Sequence, residues 1–434
     1  MNEVYAHGQE RWKLIWPAFF WLFVVFALTT PFDFSWPDLV LNGMPAASIH
    51  DAIVNIHRGN MARRLGMVML AGFAVFLLSR TRNRFRLNFP VGWFLVLYLA
   101  WSLLSLTWSI DTLFTLRRVV TAFILWLAAY AVAIRYSLRE QAWLTVLVAG
   151  ATLVLGVGNE LRLHTLEPVN ELWRFSGLFH AVAMGWNCSV LVLAAGFLAT
   201  DEKHGIRRTF LWFVILFAFV FLILTKTRLA VASTIVCMAL YGFLTFSGIK
   251  KTLLILVPII VLCLAYLSLG NRLLYYTGQA GTLGRGEAAR ESVSTLTGRT
   301  LLWEECFRWA LKRPLIGYGF NTFISPKHME TVYRNVGWMP NSVHSGYLDA
   351  LMGLGVVGAT VLIFFLLAAL ARAYLLSLWY GEYIFIMVSL LWLYCNLALA
   401  VAPITRPFFT TFFFLMLLAR LAFLPGPEWN RRNI

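Results

Sequence analysis

The chain is short of charge. Only 13% of its 434 residues are Asp, Glu, Lys or Arg, about half the share usual in soluble domains, and 60% are hydrophobic, with a mean hydropathy of +0.73. A water-soluble globule is excluded. Acids are the scarcer sign, with 20 Asp plus Glu against 36 Lys plus Arg, which leaves a formal +16. No Asp-x-Asp pair occurs, so the usual carboxylate clamp for a divalent cation on a diphosphate is missing. No catalytic metal and no other cofactor is expected. Carboxylates are also scarce inside the apolar runs, where Asp349 is the only acid noted near a span, so the relay of a proton- or sodium-coupled carrier is not available. Of five cysteines, Cys188, Cys237, Cys263 and Cys395 lie in apolar runs and Cys306 alone lies in the one hydrophilic stretch. No external disulfide pair is expected.

What is present is a series of long apolar runs. They begin near residues 14, 65, 90, 119, 141, 181, 209, 229, 252, 346, 383 and 407, giving about twelve transmembrane helices at about 20 residues per span. Uninterrupted runs exclude a β-barrel, whose strands would alternate. The first run follows Arg11 and Lys13 without a small-residue cleavage site before Pro31, so it reads as an uncleaved helix. Twelve spans put both termini on one side. Alternation then groups Arg11, Lys13, Arg80, Arg82, Arg84, Arg86, Arg135, Arg139, Lys203, Arg207, Arg208, Lys250, Lys251, Arg431 and Arg432 on that side, which the positive-inside rule makes the cytoplasm. The same alternation turns Arg58, Arg63, Arg64, Arg117, Arg118, Arg162, Arg174, Lys226, Arg228 and Arg406 outward. Orientation does not account for these.

The expected organisation is spans 1 to 9 in residues 1–269, a basic external subdomain in 270–345, and spans 10 to 12 with a short cytoplasmic tail in 346–434. Within the subdomain, Gly281 to Gly286 reads as loop. Thr300 to Lys312 reads as an amphipathic helix, with Trp303, Phe307 and Leu311 at helical spacing and Pro314 as its stop. Gly317 and Gly319 mark a turn.

With acids scarce, the chemistry falls to the outward cations. A guanidinium stays charged, binds phosphate oxygens in pairs and stabilises charge developing on a leaving group. Arg228 follows Thr225-Lys226-Thr227 at the mouth of a helix, and Arg299 follows Gly298 at the start of the external helix, where free N–H groups also favour an anion. The alternative for each is a snorkelling or headgroup-anchoring side chain. His344, in Pro340-Asn341-Ser342-Val343-His344-Ser345-Gly346, is suited to general-base work near neutral pH; its alternative is a helix cap or polar contact. The aromatics Trp303, Trp309 and Trp338 fit sugar stacking less well than an interfacial belt. If the leaving group is a lipid diphosphate, one base and several Arg suffice, without the carboxylate pair of a glycosidase.

Three segments resemble the O-antigen ligase family of bacterial inner-membrane proteins. They are Leu224-Thr225-Lys226-Thr227-Arg228; Ser294-Thr295-Leu296-Thr297-Gly298-Arg299 running through Trp303 to Pro314 and Gly317-Tyr318-Gly319; and Val343-His344 running through Leu348 to Gly353-Leu354-Gly355-Val356-Val357-Gly358. The resemblance implies an all-α polytopic membrane protein of GT-C type with a periplasmic active site. It implies a metal-independent glycosyltransferase that moves a polysaccharide from undecaprenyl diphosphate onto the lipid A core of lipopolysaccharide, with inversion. On it, Arg228 and Arg299 bind the donor diphosphate and His344 activates the acceptor hydroxyl. The segment Arg174-Phe175-Ser176-Gly177 with His180 is a looser match, in which Arg174 touches phosphate or sugar or serves the structure. One departure is Ser345, where the family commonly has Asn. The partners implied are the lipid-linked donor, the lipid A core and membrane lipids, and not nucleic acid.

An O-antigen polymerase would use the same donor and similar motifs; the Gly298-Arg299 and Val343-His344 segments favour ligase. A ligase that transfers glycan to protein is a third reading. From another class, a lipid-linked oligosaccharide flippase would place its site near the midplane between related halves, which one asymmetric external subdomain argues against.

Overall fold

The computed structural model describes residues 2–29, 61–81, 86–168, 170, 173–203, 205–249, 251–252, 299–323, 328, 331–332, 335, 343–399 and 407–424. Twelve α-helices and no strand occur among them: α1 Asn2–Thr29, α2 Met61–Ser79, α3 Val91–Leu104, α4 Thr112–Arg135, α5 Leu138–Arg162, α6 Ala181–Asp201, α7 Gly205–Leu224, α8 Arg228–Thr245, α9 Arg299–Ala310, α10 Gly346–Ser377, α11 Glu382–Leu399 and α12 Phe409–Phe423. All but α9 are apolar. Seven are long and apolar enough to cross a bilayer, and four more carry shorter apolar stretches. Eleven of the twelve expected run starts fall on or beside these helices, and the run near 252 lies almost wholly outside the described residues. The architecture is that of an all-α polytopic membrane protein.

Local chemistry sets the helix starts. Ser137 and Glu140 form a reciprocal capping box on α5, and Asp111 accepts from the Phe114 amide at the start of α4; each satisfies amides that have no intrahelical partner. Helix α6 is almost wholly enclosed, and small residues let neighbours close on it. At Gly185 an added Cβ would lie 3.0 Å from Thr225 Oγ1. Polar side chains inside the bundle have partners: Asn187 donates to Ala149 O at 2.9 Å, and the Trp392 indole donates to Thr234 Oγ1 at 3.0 Å.

Contacts sort the helix ends into two sets. At one end Arg139 at the start of α5 bridges Asp201 and Glu202 at the end of α6 (3.2 and 2.7 Å), and Asn88 ahead of α3 donates to Leu421 O and Leu424 O of α12. At the other end Thr29 of α1 donates to Pro407 O just before α12. There, too, Tyr347 of α10 reaches Tyr394 O of α11, and Asn396 of α11 donates to Ser233 of α8 at 2.9 Å. These contacts pair the ends of α1, α3, α5, α6, α8, α10, α11 and α12 in the way the alternation expects. Arg174, Arg228, Arg299 and His344 all belong to this second end.

Helix α10 is broken. Gly355 has φ +68° and ψ −171°, which only glycine adopts without cost. The break frees Met352 O, Gly353 O and the amides of Val356 and Val357 from one another. The segment after α9 takes up all four: Tyr318 N donates to Met352 O (3.0 Å), Gly319 N to Gly353 O (2.8 Å), Val356 N to Pro314 O (2.8 Å) and Val357 N to Leu315 O (3.4 Å). The expected turn at Gly317 and Gly319 is present, with φ +67° and +106°. It is also a docking surface, because a Cβ on Gly317 would lie 2.7 Å from Gly353 backbone.

The segment after 299 has a small core of its own, built from Leu302, Cys306, Tyr318, Phe323, Val332, Val343, Leu348 and Met352. One reading changes here. The buried face of α9 is Leu302, Glu305 and Cys306, not the Trp303, Phe307 and Leu311 stripe; Phe307 and Leu311 are exposed. Glu305 tolerates burial because it accepts from Trp309 Nε1 (2.7 Å) and Asn335 Nδ2 (2.9 Å) and pairs with Arg308 (3.3 Å). Trp309 thereby packs against this core, edge-on to Tyr318 and Phe323. Trp338, Arg58, Arg406, Cys263 and Gly281 to Gly286 lie outside the described residues.

Candidate functional site

Arg228 is the first residue of α8, immediately after the turn Thr225-Lys226-Thr227 that links it to α7. The turn requires Lys226 at φ +50°, an uncommon state for a residue with a Cβ. Its surroundings hold it there. Thr227 N donates to Thr225 Oγ1, and Lys226 Nζ donates to Asn170 O at 3.1 Å. Arg174 then clasps the turn, with Nε donating to Thr225 O (3.0 Å) and a terminal nitrogen to Thr227 Oγ1 (3.3 Å). Of the two roles open to Arg174, the bonds described here are structural: it braces the turn that presents Arg228. Thr227 makes no side-chain cap to α8, so the amides at that helix start remain suited to an anion beside the Arg228 charge.

Behind Arg174 lies a residue that the sequence reading missed. Glu160, in the last turn of α5, is 3% exposed, and its Oε1 accepts from Ser176 N (2.8 Å) and Gly177 N (2.7 Å). Asn159 Nδ2 holds Gly177 O from the other side at 3.1 Å. Asp349 is therefore not the only acid near a span. The available signal was position, since an acid in a helix's last turn opposes the helix dipole and needs compensating donors.

The second pair forms on α9. Arg299 and Trp303 stand one turn apart and so share a helix face. The Trp303 indole donates to Val343 O at 2.9 Å, which brings the Arg299 face beside the backbone that carries His344. Arg299 is half-buried, and burial draws its pKa below the ordinary guanidinium value. Guanidinium still holds its proton at any physiological pH.

His344 has φ +57° and directly precedes the cap of α10. That cap is Ser345, whose hydroxyl accepts from Leu348 N at 3.4 Å; His344 does not serve as the cap. Ser and Asn are near-equal caps, so Ser345 preserves the helix start where the family commonly has Asn. Helix α8, which Arg228 begins, and α10, which His344 precedes, are linked through α11 by the Asn396–Ser233 and Tyr347–Tyr394 bonds.

Residues 213–363 match the family model described as O-antigen ligase. The chain carries an O-antigen ligase family domain. That domain contains Arg228, Arg299 and His344, while Glu160 and Arg174 precede it and act on it from outside. The O-antigen ligase match thus starts within α7 and ends within α10, covering both the braced turn and the broken helix. No curated protein matches the chain.

Proposed function

We propose that the protein is a metal-independent glycosyltransferase of the O-antigen ligase type. In this reading it is held in the bacterial inner membrane with its site toward the periplasm, and transfers polysaccharide from undecaprenyl diphosphate to the lipid A core. The observation that carries the reading is the union, at one end of the bundle, of a braced Arg228 turn, the Arg299 helix face and His344, all inside the matched domain. A nitrogen of the His344 imidazole accepts the proton of an acceptor hydroxyl. The oxygen attacks the anomeric carbon from the face opposite the diphosphate, the bond from that carbon to the diphosphate oxygen breaks, and the lipid diphosphate leaves with the electron pair. Arg228 and Arg299 stabilise the added negative charge, so the leaving group needs no proton donor. Residues 270–345 form the periplasmic subdomain that supplies Arg299 and the approach to His344.

The test is a reconstituted assay with purified protein, lipid-diphosphate glycan and rough lipopolysaccharide. Glycan joined to the lipopolysaccharide is expected, and a chelator should leave the rate unchanged. Elongation of a lipid-linked glycan instead would make the protein a polymerase. Glycan crossing the vesicle with no covalent product would make it a flippase. In the same assay Arg228→Ala and Arg299→Ala should each lower donor use by about 10²-fold, the scale of losing one charge-stabilising group.

Trp303→Phe separates positioning from donor binding. It keeps the ring and deletes the donor to Val343 O, an effect of about 1 kcal/mol. The expected result is a fall of about fivefold in kcat with KM for the donor unchanged; a change in KM alone would contradict it.

A further inference from the structure

A second surface lies on the site end, away from the residues assigned above. Residues Leu311-Lys312-Arg313-Pro314-Leu315-Ile316 are all exposed, six in succession. Three of them are large apolar side chains, and Leu311 is 79% exposed. An irregular segment normally leaves backbone groups that only water can satisfy, which bars it from lipid. Here the last three carbonyls are satisfied by protein. Pro314 O and Leu315 O accept from Val356 and Val357 in the broken α10, and Ile316 O accepts from the Trp108 indole at 2.9 Å. The segment therefore presents side chains outward while these three carbonyls point into protein.

Its depth follows from α10. At about 1.5 Å per residue the 23 residues of α10 from the break at Gly355 to Ser377 measure about 34 Å, close to the about 30 Å of hydrocarbon. Trp379 and Tyr380 follow its far end, with Trp379 81% exposed, and such aromatics sit at the membrane interface. The part of α10 after the break therefore spans the hydrocarbon, Gly355 lies at its edge on the Gly346 side, and the segment docked there sits at headgroup level.

Adjoining elements extend the same chemistry. Phe307 and Arg308 are exposed on α9, and Leu113, Leu116 and Arg117 are exposed on the first turns of α4. Arg313, just past α9, donates to Trp108 O, just ahead of α4, at 3.4 Å. The cations also lean on aromatic faces, Lys312 Nζ over Trp309 at 4.3 Å and Arg118 Cζ over Phe114 at 4.8 Å, which places their charged ends beside apolar rings.

We propose that segment 311–316, with the adjoining faces of α4 and α9, is a binding surface for phosphorylated lipid headgroups of the surrounding leaflet. Leu311, Leu315 and Ile316 enter the acyl boundary, and Lys312, Arg313, Arg308 and Arg117 meet the phosphates. Apolar burial holds the segment at the interface while cations select anionic over zwitterionic lipid. This surface would keep the α9 segment seated against the bilayer whether or not the chain is a glycosyltransferase.

The experiment uses the full chain in vesicles of one part phosphatidylglycerol to three parts phosphatidylcholine, with a photo-crosslinking benzoylphenylalanine placed at position 315. Mass spectrometry of the cross-linked protein is expected to find lipid adducts whose ratio of phosphatidylglycerol to phosphatidylcholine is about fivefold that of the vesicle, the scale of one well-placed cation. High salt should reduce the enrichment, and Lys312→Gln with Arg117→Gln should do so without altering the yield of lipid adduct. Adducts in proportion to the vesicle composition would overturn the cation–phosphate assignment. Cross-links between two copies of the chain, or no lipid adduct at all, would overturn the surface itself.

Discussion

Replacing His344 by alanine is expected to reduce glycan transfer by about 10²- to 10⁴-fold, the range supplied by a positioned general base, while donor binding is retained. The argument rests on division of labour. Arg228 and Arg299 address the diphosphate, which is already anionic in the ground state, so their loss weakens donor binding as well as turnover. His344 acts on the acceptor hydroxyl, whose proton moves only as the new bond forms, so its loss falls on turnover. The backbone argues for a special position too. A φ of +57° at a residue with a Cβ costs free energy, and the helix cap beside it is already supplied by Ser345. The measurement is initial rate and donor KM for His344→Ala in reconstituted vesicles, with folding checked by size-exclusion profile. Full activity of the folded variant would remove His344 from the mechanism.

Gly355→Ala is expected to be the most damaging single-methyl change in the described structure. An alanine there must hold φ +68°, and its Cβ would lie 2.2 Å from Leu315 O, well inside contact distance. The strain alone is about 1–3 kcal/mol. Relief requires the 314–319 segment to move away, and that breaks the four hydrogen bonds across the α10 break, each buried group left unsatisfied costing about 1–3 kcal/mol. Loss of monodisperse protein in detergent, or a melting temperature lowered by more than about 10 °C, should follow. Gly158→Ala is the control. No atom lies within 4 Å of that Cβ, and alanine favours the α5 helix by about 1 kcal/mol over glycine, so folding should be unchanged or improved. A folded Gly355→Ala protein with wild-type stability would show that the break is not held as described.

Much of this architecture was legible in the sequence because lipid simplifies the rules. Each described span is a continuous apolar run, so run starts near 181, 346 and 383 fall within one residue of α6, α10 and α11. The alternation of sides followed from counting, and the gathering of Arg228, Arg299 and His344 at one end followed with it. What stayed hidden depends on pairing between distant segments. Glu160 looked like one acid at a helix end, and its partners Ser176 and Gly177 belong to a connection with no regular period. The swap of backbone partners between 314–319 and α10 left only its glycines as a trace. On α9 periodicity pointed the wrong way. A helix at an interface carries apolar residues on two faces, one toward protein at Leu302 and Cys306 and one outward at Phe307 and Leu311, and a hydrophobic stripe does not say which is which.

The broken helix also orders events during synthesis. Residues 314–319 leave the ribosome before Gly353–Val357, so the loop exists first and waits on the far side for a span not yet inserted. When α10 enters the bilayer it arrives with two carbonyls and two amides unmatched at Gly355, and it is complete only after that earlier segment has docked. Truncation just before α10 would leave Pro314 O, Leu315 O and the amides of Tyr318 and Gly319 without these partners.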